Sequence, residues 1–352
     1  MAQLVARMVW DHEAAGSSPV APTLTKQPFD KLRVVFAYNI IYDTLMLKNT
    51  IAIAVYFDDP NEMGYPFDNV NYYKSYQGFS ERCAKRDINF VITRGDSYLG
   101  NMKFKAGWKY NDDKLEKITK PFTANIIYVK GKNIITSPTD KAVNHLELAK
   151  ICRDKMLTYQ LFSKFMAKTL LINAVNWQAV LQQIPSEKIV VKPVTGMEGV
   201  GIVVCNKADF NYDDLDQTQA PFLVQEFVDS SAGIPGLLTG KHDLRLYIFN
   251  GRAKIAEYRQ PKPGSDLANI AQGGSLTILK MSQVPQWALD FVKQIDQHFK
   301  QYFPRIYTID LMYANHRPYL VELNSRPGLP FKDWGYYDEL QNNILDTLLT
   351  AL

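Results

Sequence analysis

The sequence predicts an α/β protein built of more than one lobe. Three observations carry this. Apolar runs of strand length alternate with helix-patterned stretches over the first third of the chain, the order of helices laid on a sheet. In the middle, residues 188–205 read as a strand, a glycine-rich turn and a second strand. Near the end, residues 306–328 read as an apolar hairpin that carries carboxylates. At 352 residues the chain exceeds one ordinary core, so two or three lobes are expected.

The opening stretch, MAQLVARMVWDHEAAGSSPVAPTLT, imitates a signal peptide only weakly. Its apolar core is short, Arg7 interrupts it, and Asp11 and Glu13 follow. Residues 1–28 are expected to be a disordered extension. Residues 32–38 (LRVVFAY), 51–57 (IAIAVYF) and 88–93 (INFVIT) are strand candidates, and 71–85 is spaced for a helix. Residues 104–118 suggest a hairpin that turns at Asn111-Asp112-Asp113. Together 29–139 read as an N-terminal α/β lobe, in which Tyr65, Tyr72, Tyr73 and Tyr76 serve either packing or a substrate surface.

From Asp140 the pattern is helical. Leu148, Ile151, Leu157, Leu161 and Phe165 recur at three-and-four spacing, with Asp154 and Lys155 between them. By itself Lys155 reads as a solvated helix lysine. A short helix at 176–184 leads to the strand 188–194 (KIVVKPV). The turn Lys192-Pro193-Val194-Thr195-Gly196-Met197-Glu198-Gly199-Val200-Gly201 follows, and the strand 202–205 after it. Its glycines allow positive φ and close approach of the backbone to a ligand. No GKS or GKT closes it, so it is not a Walker A loop. A strand follows where a dinucleotide fingerprint needs a helix. The alternatives are a phosphate-covering lid, with Lys192 aimed at an α- or β-phosphate, and an ordinary glycine hairpin.

Residues 222–228 (FLVQEFV) form a further strand. Its end, Gln225, Glu226, Phe227 and Val228, suits an adenine connector with a carboxylate for ribose hydroxyls. Residues 243–249 and 253–259 make a hairpin across Asn250-Gly251, the strongest turn signal in the chain. Arg245 and Arg259 project from it, as residues suited to bidentate contact with phosphate or carboxylate. The loop 261–274 has the length of a functional lid. Residues 285–303 predict an amphipathic helix with Trp287, Leu289, Phe291, Val292, Ile295 and Phe299 inward, and 337–352 a closing helix.

Between these two helices lies IYTIDLMYANHRPYLVELNSRPG, two strands joined at Asn315-His316-Arg317. Asp310 sits in the first strand. Glu322 and Asn324 are two apart in the second and so share a face. Uncompensated burial of such charge costs several kcal/mol. A hard divalent cation would compensate it, and Mg²⁺ shares oxygen ligands with substrate phosphates. The alternative is a hairpin whose polar residues face water.

Composition narrows the classes. Apolar content of 46% and charged content of 22% are those of a soluble globular protein. The net charge of +4 comes from dispersed residues, so nucleic acid is not an expected partner. No apolar run approaches a membrane span. Cys83, Cys152 and Cys205 are far apart, which points to a reducing cytoplasm rather than a disulfide or zinc framework.

The order of these motifs resembles the ATP-grasp superfamily, nearest to bacterial glutathione synthetase, D-alanine–D-alanine ligase and the glutamate ligases that modify protein tails. The likeness rests on Asp154-Lys155, KPVTGMEGVG at 192–201, VQEFV at 224–228, DLRLYIFNG at 243–251, NIAQGG at 269–274 and Asp310 with ELNSRPG, and it covers roughly 140–335. The resemblance implies an α+β ATP-grasp fold, in which an N-terminal α/β lobe precedes two α+β subdomains, 140–228 and 229–352, that clasp ATP between them. It implies that Lys155 and Lys192 hold ATP phosphates beside Pro193, Gly196, Gly199 and Gly201. Gln225 to Val228 would hold adenine. Asp310, Glu322 and Asn324 would hold two Mg²⁺ ions, with Mn²⁺ a compatible substitute. Arg245, Arg259, Asn269 and Arg326 would handle the acyl phosphate and substrate. The implied reaction is ATP-dependent ligation of a small-molecule or peptide carboxylate to an amine through an acyl phosphate, in an enzyme whose relatives often form homo-oligomers. The alternatives are a non-catalytic ATP-binding regulatory module and a kinase on the same scaffold. At Asp266-Leu267-Ala268 and Gln272 the chain departs from glutathione synthetase-like members, which carry arginines there. This argues against glutathione or polyglutamate synthesis.

Overall fold

The computed structural model describes residues 51–352 apart from 62–63, 132–136, 138, 197–198, 269 and 271–272. The expected extension at 1–28, the strand expected at 32–38 and the candidate Asn269 lie outside the described residues.

The first lobe runs β1 (Ile51–Phe57), α1 (Val70–Ala84), β2 (Ile88–Arg94), β3 (Tyr98–Gly100), β4 (Lys103–Phe104), β5 (Gly107–Asn111), β6 (Lys114–Ile118), β7 (Phe122–Thr123), β8 (Ile126–Val129) and β9 (Ala142–Val143). One mixed sheet has the order β6-β5-β2-β1-β8-β9, with β1 parallel to both β2 and β8. Strand β1 reads as an unbroken apolar run because both its faces are covered. Ile53 and Val55 enter the core under α1, whereas Ala54 and Tyr56 pack with Phe104 beneath the small β3-β4-β7 sheet. The tyrosines mostly pack. Tyr76 is buried and Tyr72 meets Phe331 edge-on, while Tyr65 is exposed.

The helical stretch is two helices, α2 (Leu146–Arg153) and α3 (Lys155–Phe162). The Asp154 carboxylate accepts the main-chain N–H groups of Met156 (2.8 Å) and Leu157 (3.1 Å), so it caps a new helix instead of continuing the old one. The break turns the second apolar face. Thr158 and Phe162 are buried, and Leu157 and Leu161, expected inward, are exposed.

A four-stranded antiparallel sheet follows, with order β10-β13-β11-β12: β10 (Thr169–Ile172), β11 (Lys188–Pro193), β12 (Val203–Asn206) and β13 (Phe222–Glu226). Helix α4 (Trp177–Leu181) packs on one face with Ile189, Val191, Phe222 and Val224 in a core of their own.

The last sheet has the order β16-β15-β14-β17-β18: β14 (Asp243–Phe249), β15 (Arg252–Gln260), β16 (Ser275–Leu279), β17 (Ile306–Ala314) and β18 (Arg317–Asn324). Both hairpin turns use left-handed residues, Asn250 (φ 48°) with Gly251 (φ 83°) and Asn315 (φ 52°) with His316 (φ 60°). One face packs on α5 (Gln286–Asp296) through Phe291, Val292 and Ile295. Trp287 and Leu289 are only half-buried at its edge, and a 3₁₀ turn ends the segment at Phe299. The other face joins the first lobe. Tyr247, Phe249, Ile255 and Ile306 share a core with α1, β1, β2 and the closing helix α6 (Tyr337–Leu349). No helix among the described residues is long and apolar enough to cross a membrane.

Candidate active site

The carboxylate hairpin depends on a bulge. Asp310 pairs with Glu322, but Leu311 pairs with Leu320, so Val321 is an extra residue in β18. Side chains alternate faces along a strand, and one slipped residue reverses them. The bulge therefore sets Glu322 and Asn324 on the face of Asp310 and Thr308. Arg245 lies opposite Asp310 on β14, and Glu257 lies opposite Arg245 on β15, so the face carries a row of charged groups.

Asp310 is buried and held by two guanidinium groups. Arg245 donates Nε to Oδ1 (2.7 Å) and Nη2 to Oδ2 (2.6 Å), and Arg259 donates Nη2 to Oδ2 (2.9 Å). Burial alone would raise the Asp310 pKa, but the two arginines outweigh it and hold the group below the usual carboxylate range. Arg259 also grips Asp243, whose pKa burial pushes up to about 7. Glu257 receives the Tyr336 hydroxyl at 2.7 Å, and burial raises its pKa too. Arg245 and Arg259, expected as anchors for a reacting phosphate, thus first position Asp310. Three buried polar atoms of this face, Asp243 Oδ1, Arg259 Nε and Thr308 Oγ1, have no hydrogen-bond partner among the described residues.

The lysines come from β11 and from the start of α3. Lys192 is 6% exposed, and its Nζ donates to Gln225 Oε1 at 3.0 Å. Thr169 Oγ1 donates to the Ala167 carbonyl and so accepts from Gln225 Nε2 at 2.7 Å, which turns the amide oxygen toward Lys192. Burial, then the charge of Lys155, lowers the Lys192 pKa to about 8, against an opposing pull from Glu322. Lys155, the first residue of α3, is not solvated. Its side chain is 11% exposed and its Nζ reaches Gly196 O (3.0 Å) and Glu322 Oε1 (3.6 Å). That ion pair joins the start of α3 to β18. Gly199 (φ 77°) and Gly201 (φ 74°) adopt the left-handed region that glycine alone takes freely. Pro193 ends β11 on the core face.

In the connector, Gln225 faces Lys192, whereas Glu226 pairs with Ile189 and takes the opposite face. The ring of Phe227 lies 4.6 Å from Lys188 Nζ. Lys188 and Lys241 both bind the Asp266 carboxylate, each at 2.5 Å. Lysines from two other segments thus neutralise the loop's carboxylate. Arg326 turns away from Asn324: its main-chain N–H donates to Asn324 Oδ1 (2.9 Å) and its Nη1 to the Gly131 carbonyl.

Among the described residues, no three His, Cys, Asp or Glu side chains gather as a metal nest. Two carboxylates and a carboxamide on one face suit a hard cation that completes its shell with phosphate oxygens. Asp310 has three of its roughly four acceptor positions filled, so it suits single-oxygen ligation, while Glu322, with its side chain 35% exposed, is open. The residues fit such an ion.

The layout is that of ATP-grasp proteins. It is similar to a D-alanine–D-alanine ligase from Bacillus anthracis complexed with ATP (TM-score 0.53, 11% identity, 86% of this chain and 98% of that one). It is also similar to the ATP-grasp ligase PsnB complexed with a phosphomimetic precursor variant, Mg and ADP (TM-score 0.54, 11% identity, 86% and 99%). The model of the RimK-like ATP-grasp domain matches residues 152–348, and the chain belongs to that family. Similar sequences include a probable alpha-L-glutamate ligase of Hydrogenovibrio crunogenus, 28% identical over 42% of this chain and 46% of that protein. Another is that of Shewanella halifaxensis, 26% identical over 53% and 40%. The chain spans about half the length of these curated relatives.

Proposed function

We propose that the protein is a cytoplasmic ATP- and Mg²⁺-dependent carboxylate–amine ligase that yields an amide, ADP and phosphate. The observation that carries the reading is the meeting of Lys155 and Glu322 at 3.6 Å, which brings a phosphate-type lysine pair to an oxygen-donor face. Lys155 and Lys192 bind the polyphosphate, and Gln225 fixes Lys192. Gly196, Gly199 and Gly201 let the turn approach the phosphates, with Pro193 at its start. Glu226, Phe227 and Val228 border the base. Asp310, Glu322 and Asn324 would hold two Mg²⁺ ions, replaceable by Mn²⁺, which would supply positive charge against the phosphates. Arg245 and Arg259 orient Asp310 and add positive charge where phosphate charge shifts. A substrate carboxylate attacks the γ-phosphorus and ADP departs. An amine then attacks the acyl carbon, loses a proton, and expels phosphate. Alignment and charge stabilisation suffice, without a covalent enzyme nucleophile.

The test is phosphate release from ATP with Mg²⁺ over pools of amino acids and dipeptides, with mass spectrometry of active pools. A product one water lighter than its two substrates is expected. A product heavier by a phosphoryl group would make the protein a kinase, and tight ATP binding without turnover would make it a binding module. Glu322→Gln is expected to fold normally, by circular dichroism and melting, yet lose turnover. An active Glu322→Gln variant would remove the metal assignment.

A further inference from the structure

Asn144, the residue after β9, is buried and its side chain reaches the end of the carboxylate hairpin. Its Nδ2 donates to the Ile306 and Ser325 carbonyls, each at 2.5 Å, and its Oδ1 accepts the Ile306 main-chain N–H at 2.6 Å. One N–H and two carbonyls leave a single orientation for this carboxamide. The paired residues of β17 and β18 stop at Thr308 and Asn324. Asn144 supplies the next rung, from Ile306 in β17 to Ser325 just beyond β18. That rung bears on Asn324. The Ser325–Arg326 peptide group accepts from Asn144 through its carbonyl, and through its N–H it donates to Asn324 Oδ1 at 2.9 Å. A peptide group is planar, so fixing its carbonyl aims its N–H. The N–H in turn decides which end of the Asn324 carboxamide is the oxygen, and leaves that oxygen a second acceptor position. Asp310 and Glu322 present an oxygen at either end of the carboxylate. Of the three oxygen donors, only Asn324 can turn an amide NH₂ toward a cation instead.

We propose that Asn144 is a positioning residue for the divalent cation: through the Ser325–Arg326 peptide group it keeps the carboxamide oxygen of Asn324 turned to the metal. This rests on the metal assignment within the ligase reading.

Calorimetry with ADP as the probe, with and without Mn²⁺, tests it without turnover. In the wild type Mn²⁺ should tighten ADP binding. In Asn144→Ala and Asn144→Ser that gain should fall about tenfold or more, the usual cost of losing the group that orients a metal ligand, while metal-free ADP affinity stays unchanged. In an Asn324→Asp background either substitution should alter the gain little, because a carboxylate needs no such orienting. Circular dichroism should show both variants folded. No gain from Mn²⁺ in the wild type, an undiminished gain in the folded variants, the same loss in the Asn324→Asp background, or failure of both variants to fold would overturn the proposal. Amide formation with a gain indifferent to Asn144 sinks this inference alone. A gain that depends on Asn144 without amide formation in any substrate pool supports it and sinks the ligase reading instead.

Discussion

Lys192 concentrates the electrostatics of the site. It is buried, has a polar partner in Gln225, and feels the charge of Lys155. Lys192→Ala is expected to weaken ATP binding by about 1–3 kcal/mol in calorimetry, with little change in melting temperature. The pH dependence follows from its pKa of about 8. Bound polyphosphate favours the ammonium form, so binding near that pH takes up a proton. Affinity is then level well below pH 8 and falls above it, by up to about tenfold per pH unit. Calorimetry in buffers of different ionisation enthalpy reads the uptake directly. Lys192 was legible in the sequence because a glycine turn follows its strand. Lys155 was legible only through the family pattern. Its exposure is removed by Asp154, which ends one helix and starts the next, and helical spacing alone does not show that.

At the scale of elements, the loop between β15 and β16 is held by Asp266 to Lys188 and Lys241. Both lysines are more than a third exposed, so the pairs add little to global stability. Asp266→Ala is therefore expected to leave the melting temperature nearly unchanged but speed proteolytic cleavage within 261–274. High salt should do the same to the wild type, and equal cleavage rates would refute the clasp. The two hairpins of the last sheet were readable from turn chemistry, since Asn-Gly and Asn-His tolerate positive φ. Strand β16 was not, because it is an edge strand with three of its five residues exposed and shows no clean alternation. The Val321 bulge was also hidden. The sequence shows that Glu322 and Asn324 share a face, but whether Asp310 shares it depends on one inserted residue.

At the scale of the whole molecule, the family match begins at residue 152, but the packing does not. Leu340, Ile344, Leu345 and Leu348 of α6 lie in one core with Ile53, Val55 and Phe79. Arg82 of α1 and Arg86 just beyond it pair with Asp338 and Asp346 across the same joint. A fragment of residues 152–352 would leave that apolar surface wet, and it is expected to aggregate or bind a hydrophobic dye, as light scattering and fluorescence would show. The four-stranded sheet, by contrast, has its own core and meets Asp266 through an ion pair from Lys188. The shared core has a consequence for descent as well as for folding. The first lobe is bolted to its neighbour by greasy residues far from the strand ends, while Asp58, Lys130 and Gly131 stand at those ends. Residues at the tips can therefore be exchanged without touching the mounting, so the tips and the joint are free to change at different rates.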